Sequence, residues 1–469
     1  MNTLSQRVAL RPAGIARRAL SLGAALAALP HLAPGQNASL PRSARDSGSL
    51  TLAYVLGAAT RAHPLVLAAD ARVRAAHGMR TTAGTFGNPV LTYQMENAPF
   101  PGRTAPAGLV RETSTYATLP LEQFWQRSSR VGRANDDVQA AEADLTITRR
   151  AVALDAARAF HRLALAQQSA EATAEVLVGL DSLVRYTRSR VTEGATAEGD
   201  LLRLRVERDR VATDQALQEA ELAQARATLF PYLLGANASA SEVESLTSLR
   251  VAADDRIGVG VERSGASSFS ATLLPARAKL AERALATRPD VLAARARARA
   301  AGADVGLQRA LTVRQLGATF GSKSIGGSPS MIAGLSVPIP LFDQNRGEIQ
   351  RAQSERMAVE QELVWTERRA AAEVTGAYVA AQVLTARVAA LQSDFLARAE
   401  ESRQVALAAY REGAVPLLFV LDATRTLVEA RLGLLRAHHA QQVAVLSLYV
   451  AAGLDPSDAL TTTAKATTP

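Results

Sequence analysis

The sequence predicts a mainly α-helical fold with a small membrane β-barrel, built from duplicated units of strands and a long helical hairpin. From Met331 to Leu341 apolar residues alternate with other residues, which predicts a strand with two different faces. From Ile349 to Val415 there is no proline, and Gly376 and Gly413 are the only glycines, which predicts roughly 90–100 Å of helix. Helices of compact domains are much shorter than this. A strand that leads into so long a helix therefore indicates a tube.

The N-terminus is typical of an export signal. Four arginines precede a short apolar run from Ala19 to Leu29, which predicts a signal peptide at residues 1–33 and a disordered leader at 34–49. The apolar run is too short to span a bilayer. A disordered basic tail is the alternative. The chain has no cysteine, so we expect no disulfide, no thiolate nucleophile, no cysteine metal site and no N-terminal lipid anchor.

The net charge of +9 includes the arginines of this leader. The other charges alternate in sign along predicted helices, which is typical of a solvated helix face and not of a nucleic-acid-binding patch. We therefore expect no nucleic-acid partner. No other stretch looks apolar enough to span a bilayer as a helix, so a membrane crossing would have to be made by strands.

The first predicted repeat covers residues 50–235. A helix over Leu50–Ala83 with a break at His63-Pro64 is followed by a strand over Thr85–Glu96 and a proline- and glycine-rich loop. A second strand follows over Val110–Leu121. A long helical hairpin then turns near Gly194 and ends before Gly235.

Residues 236–273 form a predicted linker or equatorial segment, and residues 274–455 form the second repeat, followed by a disordered tail at 456–469. The two repeats share an ordered series of landmarks, which is a signal at the level of the fold. Paired landmarks lie 218 to 226 positions apart: His63-Pro64 with Arg288-Pro289, Thr85–Glu96 with Leu311–Ser322, Pro120 with Pro340, Ala159-Phe160 with Ala377-Tyr378, and Glu193-Gly194 with Glu412-Gly413.

Four strands cannot close a barrel, and an open sheet edge cannot face lipid. Several chains must therefore share one barrel, and their long alanine-rich helices must pack side by side around a lumen. The hairpin-tip turns at Gly194 and Gly413 then lie together at the end away from the strands.

Four motifs, in order and in a duplicated frame, are similar to those of a known family. They are Asn88-Pro89-Val-Leu-Thr-Tyr-Gln-Met-Glu96-Asn97, Arg288-Pro289-Asp290, Val337-Pro-Ile-Pro-Leu-Phe-Asp-Gln-Asn-Arg-Gly347 and Leu421-Asp422-Ala423-Thr-Arg425-Thr-Leu427. With them the chain resembles the outer membrane factors, the TolC family, over about Leu50 to Gly453. The first and third motifs are most similar to the CzcC-like heavy-metal branch.

This resemblance implies a homotrimer with a shared twelve-stranded barrel in outer-membrane lipid and a long periplasmic α-barrel. It implies two protein partners, a periplasmic adaptor (membrane fusion protein) and an inner-membrane transporter of the resistance-nodulation-division (RND) type. The chain would be a passive exit duct for cargo, with no cofactor and no catalytic residue.

The resemblance also implies residues for a closing aperture at the periplasmic end. Asp422 matches a carboxylate that forms an acidic ring there, whereas Phe419 replaces a second family acid. Asp200 and Tyr410 match a pair that forms a tip clasp, although the basic partner of that lock falls on Val415. The alternative is that Asp200 and Tyr410 merely cap or pack at the turns.

The sequence shows no constellation of residues for catalysis or metal binding. None of the six histidines has metal-ligand spacing, and His438 and His439 are predicted to be ordinary helix-surface residues. A soluble periplasmic adaptor is the alternative from another class, but it should contain one hairpin in a β-rich module. The cargo is open: metal cations, drugs, small organic molecules and type I secretion substrates use similar ducts.

Overall fold

The computed structural model describes residues 49–104, 108–234, 250–252 and 276–455. The predicted signal peptide, nearly all of the leader, most of the linker and the tail lie outside these ranges. The helices and strands are β1 (Ser49–Leu50), α1 (Leu52–Ala62), α2 (Pro64–Gly84), β2 (Val90–Glu96), β3 (Glu112–Pro120), α3 (Gln123–Thr192), α4 (Glu198–Leu233), β4 (Arg250–Val251), α5 (Arg277–Thr287), α6 (Pro289–Ala310), β5 (Gly317–Ile325), β6 (Ser328–Ser336), α7 (Arg346–Ala390), a π-helical turn (Leu391–Phe395), α8 (Leu396–Arg411) and α9 (Leu417–Ala451).

Four of the strands form one antiparallel sheet in the order β2-β3-β5-β6, so the strands of the two repeats meet where β3 pairs with β5. Several predicted strand ends were wrong. β2 begins at Val90, not at Thr85, and β5 covers Gly317–Ile325 instead of Leu311–Ser322. β6 ends at Ser336, not at Leu341. Pro338 and Pro340 follow the end of β6, and a proline has no N–H for a strand ladder.

The two faces of this sheet differ in polarity. Residues directly opposite each other in an antiparallel pair share a face. On this criterion one face has no charged residue and carries most of the large apolar side chains, together with a few Thr and Ser: Leu91, Tyr93, Met95, Thr113, Thr115, Ala117, Leu119, Phe320, Ser322, Ser324, Met331, Ala333 and Leu335. The other face carries the charged residues Glu96, Glu112 and Lys323, several polar residues and a few apolar ones: Val90, Gln94, Ser114, Tyr116, Thr118, Thr319, Ile325, Ser330 and Ile332. A mainly apolar face opposite a face that holds the charges is what a barrel wall between lipid and water requires.

The short strands β1 and β4 were missed by sequence reasoning. Ser49 and Leu50 pair in parallel with Arg250 and Val251, so Ser49 belongs to a strand and not to a disordered leader. Gln167 of α3 accepts a hydrogen bond from the Val251 backbone N–H at 2.9 Å, which ties this small sheet to the first long helix.

The long helices form as predicted. α3 has 70 residues, which corresponds to about 105 Å. Its counterpart runs from Arg346 to Arg411 over 66 residues, interrupted only by the π-helical turn.

The hydropathy of this second rod corrects one expectation. By length and composition, Arg346–Arg411 is apolar enough to cross a membrane, with a mean hydropathy of 1.3 over its most apolar window. The bent pair of α1 and α2 passes the same test only when its two helices are taken together. Only 22% of that window is buried within the described chain, so most of its apolar side chains lie at the surface of one copy.

Both strand-to-helix corners converge on the C-terminal end of α6. In the first repeat, Trp125 and Gln126 donate hydrogen bonds to the Ala310 carbonyl at 3.2 and 3.5 Å. In the second, the amide of buried Asn345 donates to the Gln308 carbonyl at 2.6 Å. The last carbonyls of a helix have no partner within it, so these side chains satisfy groups that would otherwise remain unpaired.

The beginning of α6 shows why the second repeat carries Arg288-Pro289-Asp290. Buried Arg288 donates to Asp290, to Glu373 of α7 and to the Ala451 carbonyl at the end of α9. In the first repeat His63 occupies the equivalent position and stacks on Tyr232 at the end of α4, with ring centroids 5.6 Å apart. Each repeat thus fastens the end of its return helix to the start of a short helix.

We predict that Asn345→Ala destabilises the second corner. Asn345 has a left-handed backbone with φ of 57°, and its side chain also accepts a hydrogen bond from Arg314. Alanine would leave these groups unpaired in a buried place, which should cost about 2–3 kcal/mol. Thermal unfolding of the purified protein measures this loss, with the exposed Gln350→Ala as the control. Equal midpoints for both variants would contradict this assignment.

Candidate functional site

The two hairpin tips have the same backbone geometry. Gly194 and Gly413 adopt φ of 73° and 79°, a left-handed conformation that favours glycine at the end of a helix. At both tips the glycine N–H bonds the carbonyl three residues earlier at 3.0 Å, and the next N–H bonds the carbonyl five residues earlier at 2.8 Å. α3 and α4, and likewise α8 and α9, are therefore joined by a tight turn at these glycines.

Tyr410 lies inside an apolar cluster just behind these turns. Its side chain is 6% exposed and packs with residues of α3, α4 and α9, among them Leu180, Leu204 and Leu417. Its hydroxyl oxygen is buried and has no hydrogen-bond partner in the described part of the chain. A buried hydroxyl without a partner is costly, so this position is poised to accept or donate a bond.

The structure does not join Asp200 to Tyr410 in the hydrogen bond that the resemblance implies. Asp200 lies in the first turn of α4, where a carboxylate is favoured by the helix dipole. Its nearest ion partner is Arg203 of the same helix, at 3.8 Å. Within one chain, Asp200 therefore has the role of a helix-start residue, and Tyr410 that of a core residue.

Asp422 and Phe419 lie on the exposed side of α9, three residues apart and one turn after the helix begins. Phe419 is 59% exposed, and Leu418 beside it is also exposed. The side of α9 that carries the buried residues Leu417, Val420 and Leu421 packs into the tip cluster, so the Asp422 carboxylate and the Phe419 ring remain free of it.

An ion pair between α4 and α9 was missed by sequence reasoning. Arg425 donates to both carboxylate oxygens of Glu207, with an Nε–Oε1 distance of 2.8 Å. The Glu207 side chain is buried, and the hydrogen bond from Arg425 is the main reason why its pKa lies below the usual range, with smaller charge effects of Arg425 and Arg210 in the same direction. Arg425 stands in one of the quoted motifs, but Glu207 is 218 residues away on a helix without a motif.

A second arginine of α9 fastens the neighbouring helices. Arg431 bonds Glu175 of α3 at 3.0 Å and Glu400 of α8 at 2.8 Å. Together, Arg425 and Arg431 connect α9 to all the other helices of the two hairpin tips.

The five histidines in the described part of the chain do not form a metal site. Among the described residues, no group of three or more His, Cys, Asp or Glu side chains is placed to hold a metal ion. His438 is buried, so its interpretation as a surface residue was wrong: this side of α9 packs inside the helical layer. Burial, helped by nearby His439, lowers the pKa of His161 to about 4, so this imidazole is neutral near pH 7.

The chain is similar to proteins of one family along most of its length. The family model described as "Outer membrane efflux protein" matches residues 280–454. The cobalt-zinc-cadmium resistance protein CzcC of Cupriavidus metallidurans is 27% identical over 433 residues, which are 88% of this chain and 94% of that protein. The cation efflux system protein CusC of Escherichia coli is 29% identical over 256 residues, about half of each chain.

Solved structures share the fold. The structure of CusC has a TM-score of 0.67 at 21% identity, covering 86% of this chain and 92% of that one. The outer membrane protein VceC of Vibrio cholerae has a TM-score of 0.68 at 20% identity, covering 86% and 96%. The predicted TolC-like fold is thereby confirmed at the level of one chain. The names of these relatives describe metal resistance, cation efflux, a transmembrane channel and an outer membrane protein.

We predict that Glu207→Gln loosens the α4–α9 contact. The pair should contribute about 1 kcal/mol, since Arg425 is partly exposed to solvent. A carboxylate whose folded pKa is lowered stabilises the fold above its unfolded pKa and loses that effect as the pH falls through the folded value. The variant should therefore melt earlier than wild type at pH 7, and the difference should shrink below about pH 4.

Glu219→Gln on the exposed side of the same helix is the matched control, because the Glu219 carboxylate is exposed and accepts a hydrogen bond from Gln215 of the same helix. A Glu207→Gln variant that melts with wild type at pH 7, or a difference that stays constant down to pH 3, would contradict the assignment.

Proposed function

The chain belongs to the family of outer membrane efflux proteins, and on this premise we propose that it is the exit duct of a tripartite efflux system for heavy-metal cations. It is an outer-membrane channel that extends into the periplasm, and it works as a passive component. The observation that carries this conclusion is the similarity to CzcC over 433 residues, together with a fold shared with outer-membrane channels.

The strands support assembly from several copies. One chain supplies four strands, and both outer strands, β2 and β6, are paired on one side only. Open edges cannot face lipid, so they must pair with the edges of other copies. Three copies would bring twelve strands together, well within the range in which barrels close.

The helices of the tip half support the same assembly. They form a row in the order α4, α3, α9 and α7 with α8, in which α4 also contacts α9 through the Glu207–Arg425 pair. The outward side of each end of this row is exposed in one chain. On α4, Val206 is 64% exposed and lies opposite the buried side of the helix, together with Leu202 and Leu217. At the other end Val379, Val383 and Val405 are exposed. An apolar edge at each end of a curved row suits head-to-tail contact with a second and third copy.

The aperture of the duct is assigned to the exposed side of α9. In a threefold assembly, Asp422 would give a ring of three carboxylates, which favours cations and repels anions. Phe419 would place an apolar ring one turn closer to the tip. Tyr410 and Asp200 would act as the clasp in the closed state. What supports this role is that the Tyr410 hydroxyl has no partner in the described part of the chain, although closure would have to bring the Asp200 carboxylate into its buried place.

The partners follow from the same family. A passive duct needs an energised pump, so we assign an inner-membrane RND-type transporter as the source of cargo and a periplasmic adaptor as the connection. The names of CzcC and CusC describe resistance to cobalt, zinc and cadmium and the efflux of cations, which supports a metal cargo. An organic cargo is the second candidate, since the pyoverdine export protein OpmQ of Pseudomonas putida is 35% identical over 180 residues.

We predict that Val206→Arg prevents assembly. The edge of α4 that assembly would bury would then receive a charge without a partner, which an apolar contact between copies cannot accommodate. Heat-resistant oligomers in the detergent-solubilised outer membrane should disappear on gel electrophoresis, whereas Val206→Ala should retain them. Intact oligomers of the arginine variant would exclude this edge from the interface.

We predict that removal of the gene lowers tolerance to zinc, cobalt, nickel or copper, and that Asp422→Asn restores it less well than wild type. Loss of the three carboxylates should weaken cation preference, which reversal potentials in planar bilayers measure. Glu401→Gln, an exposed carboxylate of α8, is the control. Unchanged metal tolerance together with greater sensitivity to organic compounds would overturn the metal cargo and favour the second candidate.

A further inference from the structure

The two long rods differ by one residue below their midpoints. Ala159 and Gly194 of the first repeat are 35 positions apart, whereas their counterparts Ala377 and Gly413 are 36 apart. The second rod therefore contains one additional residue on the way to its tip.

The π-helical turn is where this residue is accommodated. The Leu396 N–H bonds the Leu391 carbonyl, five residues back, in place of the α-helical spacing of four. Before the turn, the buried Ala370, Val374, Ala381 and Val388 correspond to the buried Val152, Ala156, Leu163 and Ala170, 218 positions earlier. After the turn, Ala399 corresponds to Leu180, 219 positions earlier. The turn thus takes up the additional residue, so that the same side of the rod is buried before and after it.

The return helix has a weak point at the same level. Gly433 is the only glycine of α9, and a glycine inside a helix lowers its stability relative to alanine. Two contacts between the helices bracket this level: Gln441 with Thr385 at 3.1 Å on the strand side, and Arg431 with Glu400 at 2.8 Å on the tip side. Between them lie the π-helical turn on one helix and Gly433 on the other.

The side chains around this level leave room for motion. An added Cβ at Gly433 would meet nothing within 4 Å, so close packing does not explain the glycine. Phe395, at the end of the π-helical turn, is 45% exposed. The corresponding part of α3 is regular helix, with the buried Thr173 hydroxyl bonded to the Ser169 carbonyl.

We propose that the π-helical turn Leu391–Phe395 and Gly433 form a paired hinge at which the tip of the second hairpin bends while the first hairpin stays straight. π-helical turns and glycines are frequent sites of bending in long helices. The pair of α8 and lower α9 moves as a unit, because the Arg431–Glu400 pair lies below the hinge. Bending breaks the ion pairs of Arg431 with Glu175 and of Arg425 with Glu207, which hold the tip of α9 to the first hairpin in the straight state. As a gating element, the hinge rests on the proposed function: it swings the Asp422 side of α9 away from the lumen.

Gly433→Ala tests this hinge without disturbing packing, and Gly376→Ala on α7 is its matched control. Both glycines are helical, and at both a Cβ would meet nothing within 4 Å. Because the chain has no cysteine, spin labels can be placed at Arg188→Cys on α3 and Glu401→Cys on α8, with labelled chains diluted among unlabelled ones.

Wild type and Gly376→Ala should give a broad distance distribution between the labels, with a bent population that Gly433→Ala lowers about fivefold. Deletion of Ser393, which removes the additional residue, should narrow the distribution in the same way and lower metal tolerance at equal protein abundance.

Identical distributions for wild type, Gly433→Ala and the Ser393 deletion would overturn the hinge. That result differs from failure of the proposed function, in which wild type itself restores no tolerance while the distances still respond to the two variants. If the Ser393 deletion fails to assemble, the Gly433→Ala variant alone tests the hinge. Alanine at this position should not disturb the fold.

Discussion

The need to satisfy backbone hydrogen bonds in lipid governs this structure. A strand ladder that ends in unpaired N–H and C=O groups is tolerated in water but not in hydrocarbon. One chain offers four strands with an apolar and a polar face and leaves the outer sides of β2 and β6 unpaired. The helices also lack a covering partner, since the row that they form has a stripe of exposed apolar side chains at each end. The membrane sheet and the periplasmic helices therefore both require a neighbouring copy of this chain to cover their open edges.

Most of the fold could be predicted because its signals are local and long. A proline-free run of helix formers identifies α3 and α7, and paired glycines identify the tips, whose left-handed φ values the structure confirms. Strand ends were less certain, since alternation continues past Ser336 although the prolines that follow cannot extend the ladder. The pairing of Ser49-Leu50 with Arg250-Val251 could not be predicted, because a strand of two residues is too short to show an alternation of apolar and polar residues.

The candidate site was only partly accessible from sequence. Asp422, Phe419 and Tyr410 were found through motifs, but what touches them depends on side chains from other helices. Glu207 is an ordinary acid in a charged helix until folding brings it to Arg425, and Tyr410 looks like a polar contact until its burial in the tip cluster is visible. The π-helical turn had a trace in the sequence, the single-residue change in spacing between the two repeats, which acquires meaning only once the helix geometry is known.

The shared anchorage at the end of α6 has a mechanical consequence. Trp125, Gln126 and Asn345 attach the roots of both rods to carbonyl groups of one helix, within three residues of each other. A tilt of that helix would displace both rods together, because the base of each rod is hydrogen-bonded to it. Motions that begin in the lipid-embedded part therefore reach the two rods alike, and any difference between them must arise farther along their length.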